Sequence, residues 1–438
     1  MPRLAKSRAP SLQGRTTARF FILALVTTGT AINYLDRSVL GIAAPLMSKE
    51  LGLNSAVMGI VFSAFSWSYA ATQIPGGIFL DRFGTRITYF LSVTFWSVFT
   101  LLQGFVTGLS SLLLYRLGLG VFEAPCFPAN SRILSIWFPQ QERARATSAY
   151  SVGQYFGLAF LSPLFFWVTA EFGWRVLFIG VGVIGIIFGI FWLKYYRDPH
   201  KSKFVGAAEL LYIEAGGGLG DKEEHTSFSW HNVRLLLRHR QIVGASIGQF
   251  AGNSTLVFFL TWFPTYLATA RHMTLTSAGF MTFLPYIFAS LGVLAGGDIS
   301  DKLLRITKSA NIARKVPIVG GLMMASTIIA ANYVEDNTSI ILIMSVAFFG
   351  QGMVNLGWTV IADVAPKKLM GLTGGVFNFC TNLAGILTPL VVGVVLSVTG
   401  SFAGALAFIG CVALIGVFSY VFVLGDIHRL EIEPAPAK

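Results

Sequence analysis

Gly77-Ile78-Phe79-Leu80-Asp81-Arg82-Phe83-Gly84-Thr85-Arg86 is the stretch on which the fold reading turns. It is basic, interrupted by glycine, and lies between two apolar runs, 56–80 and 87–107. Each run is long enough to cross a hydrocarbon core about 30 Å thick. So short a polar connection must return the chain across the layer it has just crossed. A partial echo, Gly297-xxx-Asp301-Lys302, follows another apolar run 220 residues later (301 less 81), with Leu304 where the first copy has Gly84. Related stretches half a chain apart predict a duplicated membrane unit with a binding site between its halves.

Outward from this stretch the same pattern recurs. Apolar runs at 18–46, 56–80, 87–107, 110–134, 145–169, 174–196, 240–268, 277–299, 315–333, 338–362, 370–397 and 402–425 predict twelve transmembrane helices. The composition agrees: 54% of the 438 residues are hydrophobic and 12% charged, about half the charge of a soluble domain. Mean hydropathy is +0.68. The expected fold class is an all-α integral membrane protein of two six-helix halves. The basic tail (Arg3, Lys6, Arg8, Arg15) leads into a first run too long for a signal-peptide core, with no small-residue cleavage site after it, so this run is expected to be retained.

The net charge of +12 could suggest nucleic acid, but its distribution points elsewhere. With the N-terminus inside, 27 of the 32 Lys and Arg residues fall on inner loops, tails and inner span ends. Three fall outside (Lys49, Arg175, Arg271) and two within spans (Arg37, Arg116). Such asymmetry is what sets membrane orientation. It predicts both termini in the cytoplasm, a multi-pass membrane protein, and no nucleic-acid partner.

The long connection 197–239 carries Glu209, Glu214, Gly216-Gly217-Gly218 and Asp221-Lys222-Glu223-Glu224. It reads as a cytoplasmic linker between a half at 18–196 and a half at 240–425, with tails at 1–17 and 426–438. Cys126, Cys380 and Cys411 lie in apolar stretches, which argues against disulfides. The six histidines (His200, His225, His231, His239, His272, His428) show no metal spacing. The glycine-rich stretches follow no strand, so they offer no phosphate-cradling loop, and no nucleophile–base pair is evident. The chain is therefore expected to be no enzyme, to need no metal or cofactor, and to act as a monomer.

A charge at the centre of a spanning helix costs about 2.5–3.5 kcal/mol on insertion scales. Four stand out: Asp36, Arg37, Arg116 and Glu123. Asp36 and Arg37 point about 100° apart on their helix and cannot simply neutralise each other, whereas Arg116 and Glu123 share nearly one face about 10.5 Å apart along the axis. Two readings follow from the residues alone: an ion-pair cluster tying the first and fourth spans, or a cation for a substrate carboxylate beside acids that take protons. Arginine suits the second role because its planar fork grips a carboxylate and keeps its proton. The apolar neighbours of Glu123 (Phe122, Ala124, Pro125, Phe127) disfavour its charged form. Tyr34, Tyr69, Gln154, Asn355, Trp358 and Asn378 are the candidates to hydrogen-bond a polar solute, among polar side chains that are sparse in these spans. Tyr34, three residues before Arg37, shares its helix face.

The run Gly77 to Arg86 placed after a second span resembles the signature of the major facilitator superfamily. Six further stretches carry the resemblance to its anion:cation symporter family and that family's bacterial sugar-acid importers: Tyr34-Leu35-Asp36-Arg37, Val61-Phe62-Ser63-Ala64-Phe65, Gln73-Ile74-Pro75-Gly76-Gly77, Phe122-Glu123-Ala124-Pro125, Trp137-Phe138-Pro139 and Gly371-Leu372-Thr373-Gly374-Gly375. The resemblance covers nearly the whole chain and is densest in the first half. In the second half, Asn355, Gly357 and Asn382-Leu383-Ala384-Gly385-Ile386-Leu387-Thr388-Pro389 look closer to the glucarate/galactarate members than to the galactonate ones.

The resemblance implies a proton-coupled symporter of sugar-acid anions such as galactonate, glucarate or galactarate, working by alternating access. Arg37 would anchor the carboxylate, Asp36 and Glu123 would carry protons, and Arg116 would stabilise or gate them. Tyr34, Tyr69, Gln154, Trp358 and Asn378 match binding positions, and Asn355 replaces a smaller polar residue. Gly77, Asp81, Arg82, Gly84 and Arg86 would form a cytoplasmic gate. A hexuronate or other organic-anion symporter of the same family is the alternative. A drug:proton antiporter is disfavoured by the intramembrane arginine and by the missing glycine–proline motif between Gly153 and Pro163.

Overall fold

The computed structural model describes residues 17–218, 230–366 and 369–431. The first sixteen residues with their basic cluster, the Asp221–Glu224 run, His225, and the last seven residues lie outside the described residues.

The helices, in chain order, are α1 (Ala18–Glu50), α2 (Ser55–Gln103), α3 (Leu109–Glu123), α4 (Cys126–Trp137), α5 (Gln140–Phe172), α6 (Trp174–Tyr195), α7 (Ala207–Ala215), α8 (Trp230–Leu236), α9 (Arg240–Thr261), α10 (Leu275–Thr307), α11 (Ala310–Ser326), α12 (Asn337–Val354), α13 (Gly357–Val364), α14 (Met370–Thr399) and α15 (Ala403–Phe418). No strand occurs among the described residues. Among the described residues eleven helical stretches are long and apolar enough to cross a membrane, one fewer than the twelve expected spans. The difference lies in α2. Its 49 residues would reach about 74 Å if straight, more than two membrane cores. It holds both the second and third expected spans, joined at Gly84, whose φ of 74° lies in the region only glycine enters freely. Gly84 is the turn that the opening motif requires.

Two other spans are interrupted. The fourth breaks between α3 and α4 at Ala124-Pro125, where proline removes a backbone donor. The tenth breaks between α12 and α13 at Asn355-Leu356. Both breaks fall beside candidate site residues.

The stretch 197–239 is more structured than a bare linker. Helix α7 docks on the first half, with Ile213 fully buried. Glu209, also fully buried, accepts the backbone N–H groups of Ala18 and Arg19 at 3.2 Å and the Arg19 guanidinium at 3.0 Å. Arg19 also pairs with Glu142 at 3.1 Å, and Tyr212 donates to Glu142 at 2.6 Å. One carboxylate thus caps the exposed donors at the start of α1, which has no side-chain cap of its own.

The halves interlock at the end away from the termini. There Phe62 meets Trp262 edge-on at 5.1 Å and Phe160 meets Phe283 at 5.3 Å. Glycines allow close approaches here: a Cβ at Gly41 would lie 2.2 Å from the Leu260 carbonyl oxygen, and one at Gly59 would lie 2.6 Å from that of Pro389. At the termini end the same helices separate. A Cβ at Gly77, Gly371, Gly374 or Gly375 would meet nothing within 4 Å among the described residues. The close contacts between the halves thus lie at the far end, while these glycines at the termini end face open space.

Candidate functional site

Helix α1 presents two polar faces. Tyr34, Arg37 and Gly41 recur at helical spacing on one, and Gly41 on that face touches the second half. Asn33 and Asp36 form the other, directed into the first half. The neighbouring charges Asp36 and Arg37 therefore have different partners, as their angular separation requires.

Arg37 donates through Nε to Glu123 Oε1 at 2.7 Å, and the same carboxylate oxygen is in ion-pair contact with its terminal nitrogen. Four rings surround the guanidinium: Phe65 at 4.9 Å, Tyr34 at 5.1 Å, Tyr69 at 5.3 Å and Phe127 at 5.9 Å from its carbon. Each such contact contributes about 0.5–2 kcal/mol, more where water is excluded. Arg116 also lies over Phe65, 5.3 Å from that ring, and its one hydrogen bond among the described residues is a long one, 3.4 Å to the Phe62 carbonyl. Asp36 accepts the indole N–H of Trp96 at 2.8 Å.

Burial separates the four charges. Glu123, Asp36 and Arg116 are sealed, at 0%, 1% and 3% exposure, while the Arg37 side chain keeps 17%. Only Arg37 of the four can meet a solute without rearrangement. Asp36 Oδ1, Glu123 Oε2 and the Nε and Nη1 atoms of Arg116 are buried with no hydrogen-bond partner of full geometry among the described residues. An ion cluster kept for stability is expected to satisfy its polar atoms, because each orphan costs about 1–3 kcal/mol, and more when charged. These orphans favour a working site over a structural tie.

The remaining candidates lie on both halves. Tyr34, Tyr69 and Gln154 are buried in the first. In the second, Asn355 sits half-buried at the break between α12 and α13. Trp358 is 44% exposed and packs edge-on against Phe377 at 4.9 Å. Asn378 is half-buried and accepts the Asn382 amide at 3.0 Å. The structure adds a link between the halves that the sequence reading missed: Tyr155 donates to Gln351 at 3.1 Å. Both are buried, and Asn355, one turn beyond Gln351, stands beside the same hydroxyl, as does Gln154.

The gate residues sit at the termini end. Asp81 pairs with Arg132 of its own half at 2.9 Å. Arg86 donates to the Leu193 carbonyl at 2.6 Å, and Arg82 lies over the Phe83 ring. In the second half Arg314 joins Asp363 at 3.0 Å and Ser300 at 2.7 Å.

Comparison with known proteins adds three findings. Residues 26–389 match the model of the Major Facilitator Superfamily. The chain is 44% identical to "Probable galactarate/D-glucarate transporter GudP" of Escherichia coli strain K12, over 97% of this chain and 98% of that protein. It is 46% identical to "D-galactonate transporter" of Escherichia coli O6:H1, over 94% and 97%. Among solved structures, a bacterial homologue of the human lysosomal transporter Spinster superposes with a TM-score of 0.70 at 18% identity, over 94% of this chain and 96% of that one.

Proposed function

Because this chain belongs to the major facilitator superfamily, we propose that it imports sugar-acid anions together with protons, by alternating access across the bacterial inner membrane with both termini cytoplasmic. Relatives named for galactarate, glucarate and galactonate transport supply the substrate class. The observation that carries the coupling is the Arg37–Glu123 pair, in which the one accessible charge is held by a fully buried acid.

The pair works as an exchange. A substrate carboxylate arriving at Arg37 competes with Glu123 for the same guanidinium fork. Glu123, once displaced, is a buried carboxylate without its cation, and a buried charge that loses its partner is neutralised by protonation. Anion binding and proton uptake thus favour each other, which is the requirement for symport. Asp36 is the second proton carrier and Arg116 balances whichever acid is charged. On the substrate, Tyr34, Tyr69, Gln154, Trp358 and Asn378 bond the hydroxyls, and Asn355 reads the end far from Arg37. The opening toward the termini is then the cytoplasmic release state, and the motif from Gly77 to Arg86 closes that end in the opposite state.

Two protons with a monoanion carry net charge +1, worth about 2.3 kcal/mol per 100 mV, whereas two protons with a dianion carry none. The test is uptake into proteoliposomes under an inward proton gradient, across galactonate, glucarate, galactarate and glucuronate, with and without an imposed potential. Galactonate uptake driven by potential marks a monoanion pocket. Glucarate or galactarate uptake indifferent to it marks a dianion pocket. Uptake that ignores the proton gradient would falsify the symport reading.

A further inference from the structure

We propose that Trp96 is a positioning residue for proton coupling, its indole N–H orienting the Asp36 carboxyl group so that a single oxygen is left to take the proton. This role rests on the reading of Asp36 as a proton carrier and deepens it.

Trp96 lies in the third span, within α2, and is fully buried. Its N–H reaches Asp36 Oδ2 at 2.8 Å across a separation of 60 residues. An indole nitrogen only donates, so it can neither accept the transported proton nor pass it on. It holds one carboxyl oxygen and leaves the other. Oδ1 is buried and has no hydrogen-bond partner of full geometry among the described residues, so a proton arriving from water adds there while Trp96 keeps its own.

The charged groups facing Asp36 are Glu123 and Arg116 of α3, with Arg37 its neighbour on α1; Thr100, one turn from Trp96, adds a hydroxyl. Among the described residues Trp96 gives this carboxyl group its one hydrogen bond of full geometry, so the indole is what fixes Oδ2. A hydrogen bond donated to the charged form favours that form. Trp96 therefore also sets the pH at which Asp36 loads. Packing alone would explain a buried tryptophan, since Trp96 also sits among Leu25, Tyr89 and Leu119 in the core of the first half. The two roles differ in what removal of the N–H does when shape is kept.

The experiment replaces Trp96 with benzothienylalanine, which has the outline of indole and no N–H, alongside Trp96→Phe. Both are checked for monodispersity and melting temperature in detergent. Uptake of D-glucarate and D-galactonate is then followed against pH in proteoliposomes. Loss of a donor to a carboxylate is expected to raise proton affinity about tenfold, moving the pH midpoint of uptake up by about one unit. In Asp36→Asn protein, read by substrate counterflow, the isostere should produce no further shift. An unchanged midpoint in the folded isostere variant overturns the proposal, as does an equal shift in the Asp36→Asn background. Unsubstituted protein whose uptake ignores the proton gradient overturns the symport reading itself, and that measurement precedes any variant.

Discussion

Among the described residues, the buried charged side chains are Arg19, Asp36, Arg116, Glu123 and Glu209. All lie at or before residue 209; from residue 240 onward, none is buried. What the second half brings to the centre is neutral: Gln351, Asn355, Trp358 and Asn378. The halves share a fold and part of a motif yet divide the work, one carrying charge and the other shape and hydrogen bonds. A buried charge is expensive wherever it is placed, so grouping the four central ones lets them compensate one another through Phe65, Arg37 and Glu123. On the proposed mechanism it also leaves the second half free to vary in specificity without disturbing coupling.

The sharpest way to break this comparison is Arg37. Arg37→Ala removes the accessible cation and strands Glu123 without its partner, and breaking such a buried pair costs about 3–5 kcal/mol. Uptake and counterflow are both expected to fall more than 100-fold, and Arg37→Lys should not rescue them, because an ammonium lacks the planar fork. Full counterflow in Arg37→Lys would move the carboxylate anchor elsewhere. Glu123→Gln is next. An amide can still bond Arg37 but cannot carry a proton, so accumulation should fall to the equilibrium ratio while counterflow slows by less than tenfold. Accumulation driven as before would assign coupling to Asp36 alone.

Much of this was legible in the sequence, for reasons of length and charge. Runs long enough to cross a membrane announce themselves, and most expected boundaries lie within about five residues of the helices, although the helix of the eighth span runs on to Thr307, past the expected end at 299. The four central charges were visible because nothing else in an apolar run needs explaining as they do. Their pairing was not: Arg37 and Glu123 are 86 residues apart, and only the packing of α1 against α3 and α4 joins them. Trp96 drew no reading from the sequence, because nothing in a run of apolar residues marks which indole N–H meets an acceptor from another helix. Tyr155 was overlooked beside Gln154, since adjacent helix positions face different ways. Helix α7 was hidden in a polar stretch, although Ala207-Ala208-Glu209-Leu210-Leu211-Tyr212 carries good helix formers.

The two ends of the molecule give a second contrast, and Gly59 tests it. A leucine there must displace the Pro389 carbonyl that closes the far end, and overpacking of this kind costs about 1–3 kcal/mol. Since the opposite state would relieve the clash, Gly59→Leu is expected to shift the population toward opening at that end by about tenfold. Spin labels on the loops 51–54 and 399–402 would report it as a longer distance. Gly77→Leu, at the separated end, should leave that distance unchanged.

The smallest expected effect probes the neutral half directly. Asn355 stands at a helix break beside the Tyr155–Gln351 link, where it can meet whatever terminates the substrate opposite Arg37. A second carboxylate there would take an amide N–H, whereas a terminal hydroxyl could use a smaller partner. Asn355→Ser should therefore lower uptake of glucarate relative to galactonate by about three- to tenfold, the worth of one hydrogen bond to a charged group after partial replacement by water. It should leave the pH midpoint of uptake where it was, because no charge has moved. A shift in that midpoint would mean that the second half also takes part in coupling, and the division of labour between the halves would fail at its least charged residue.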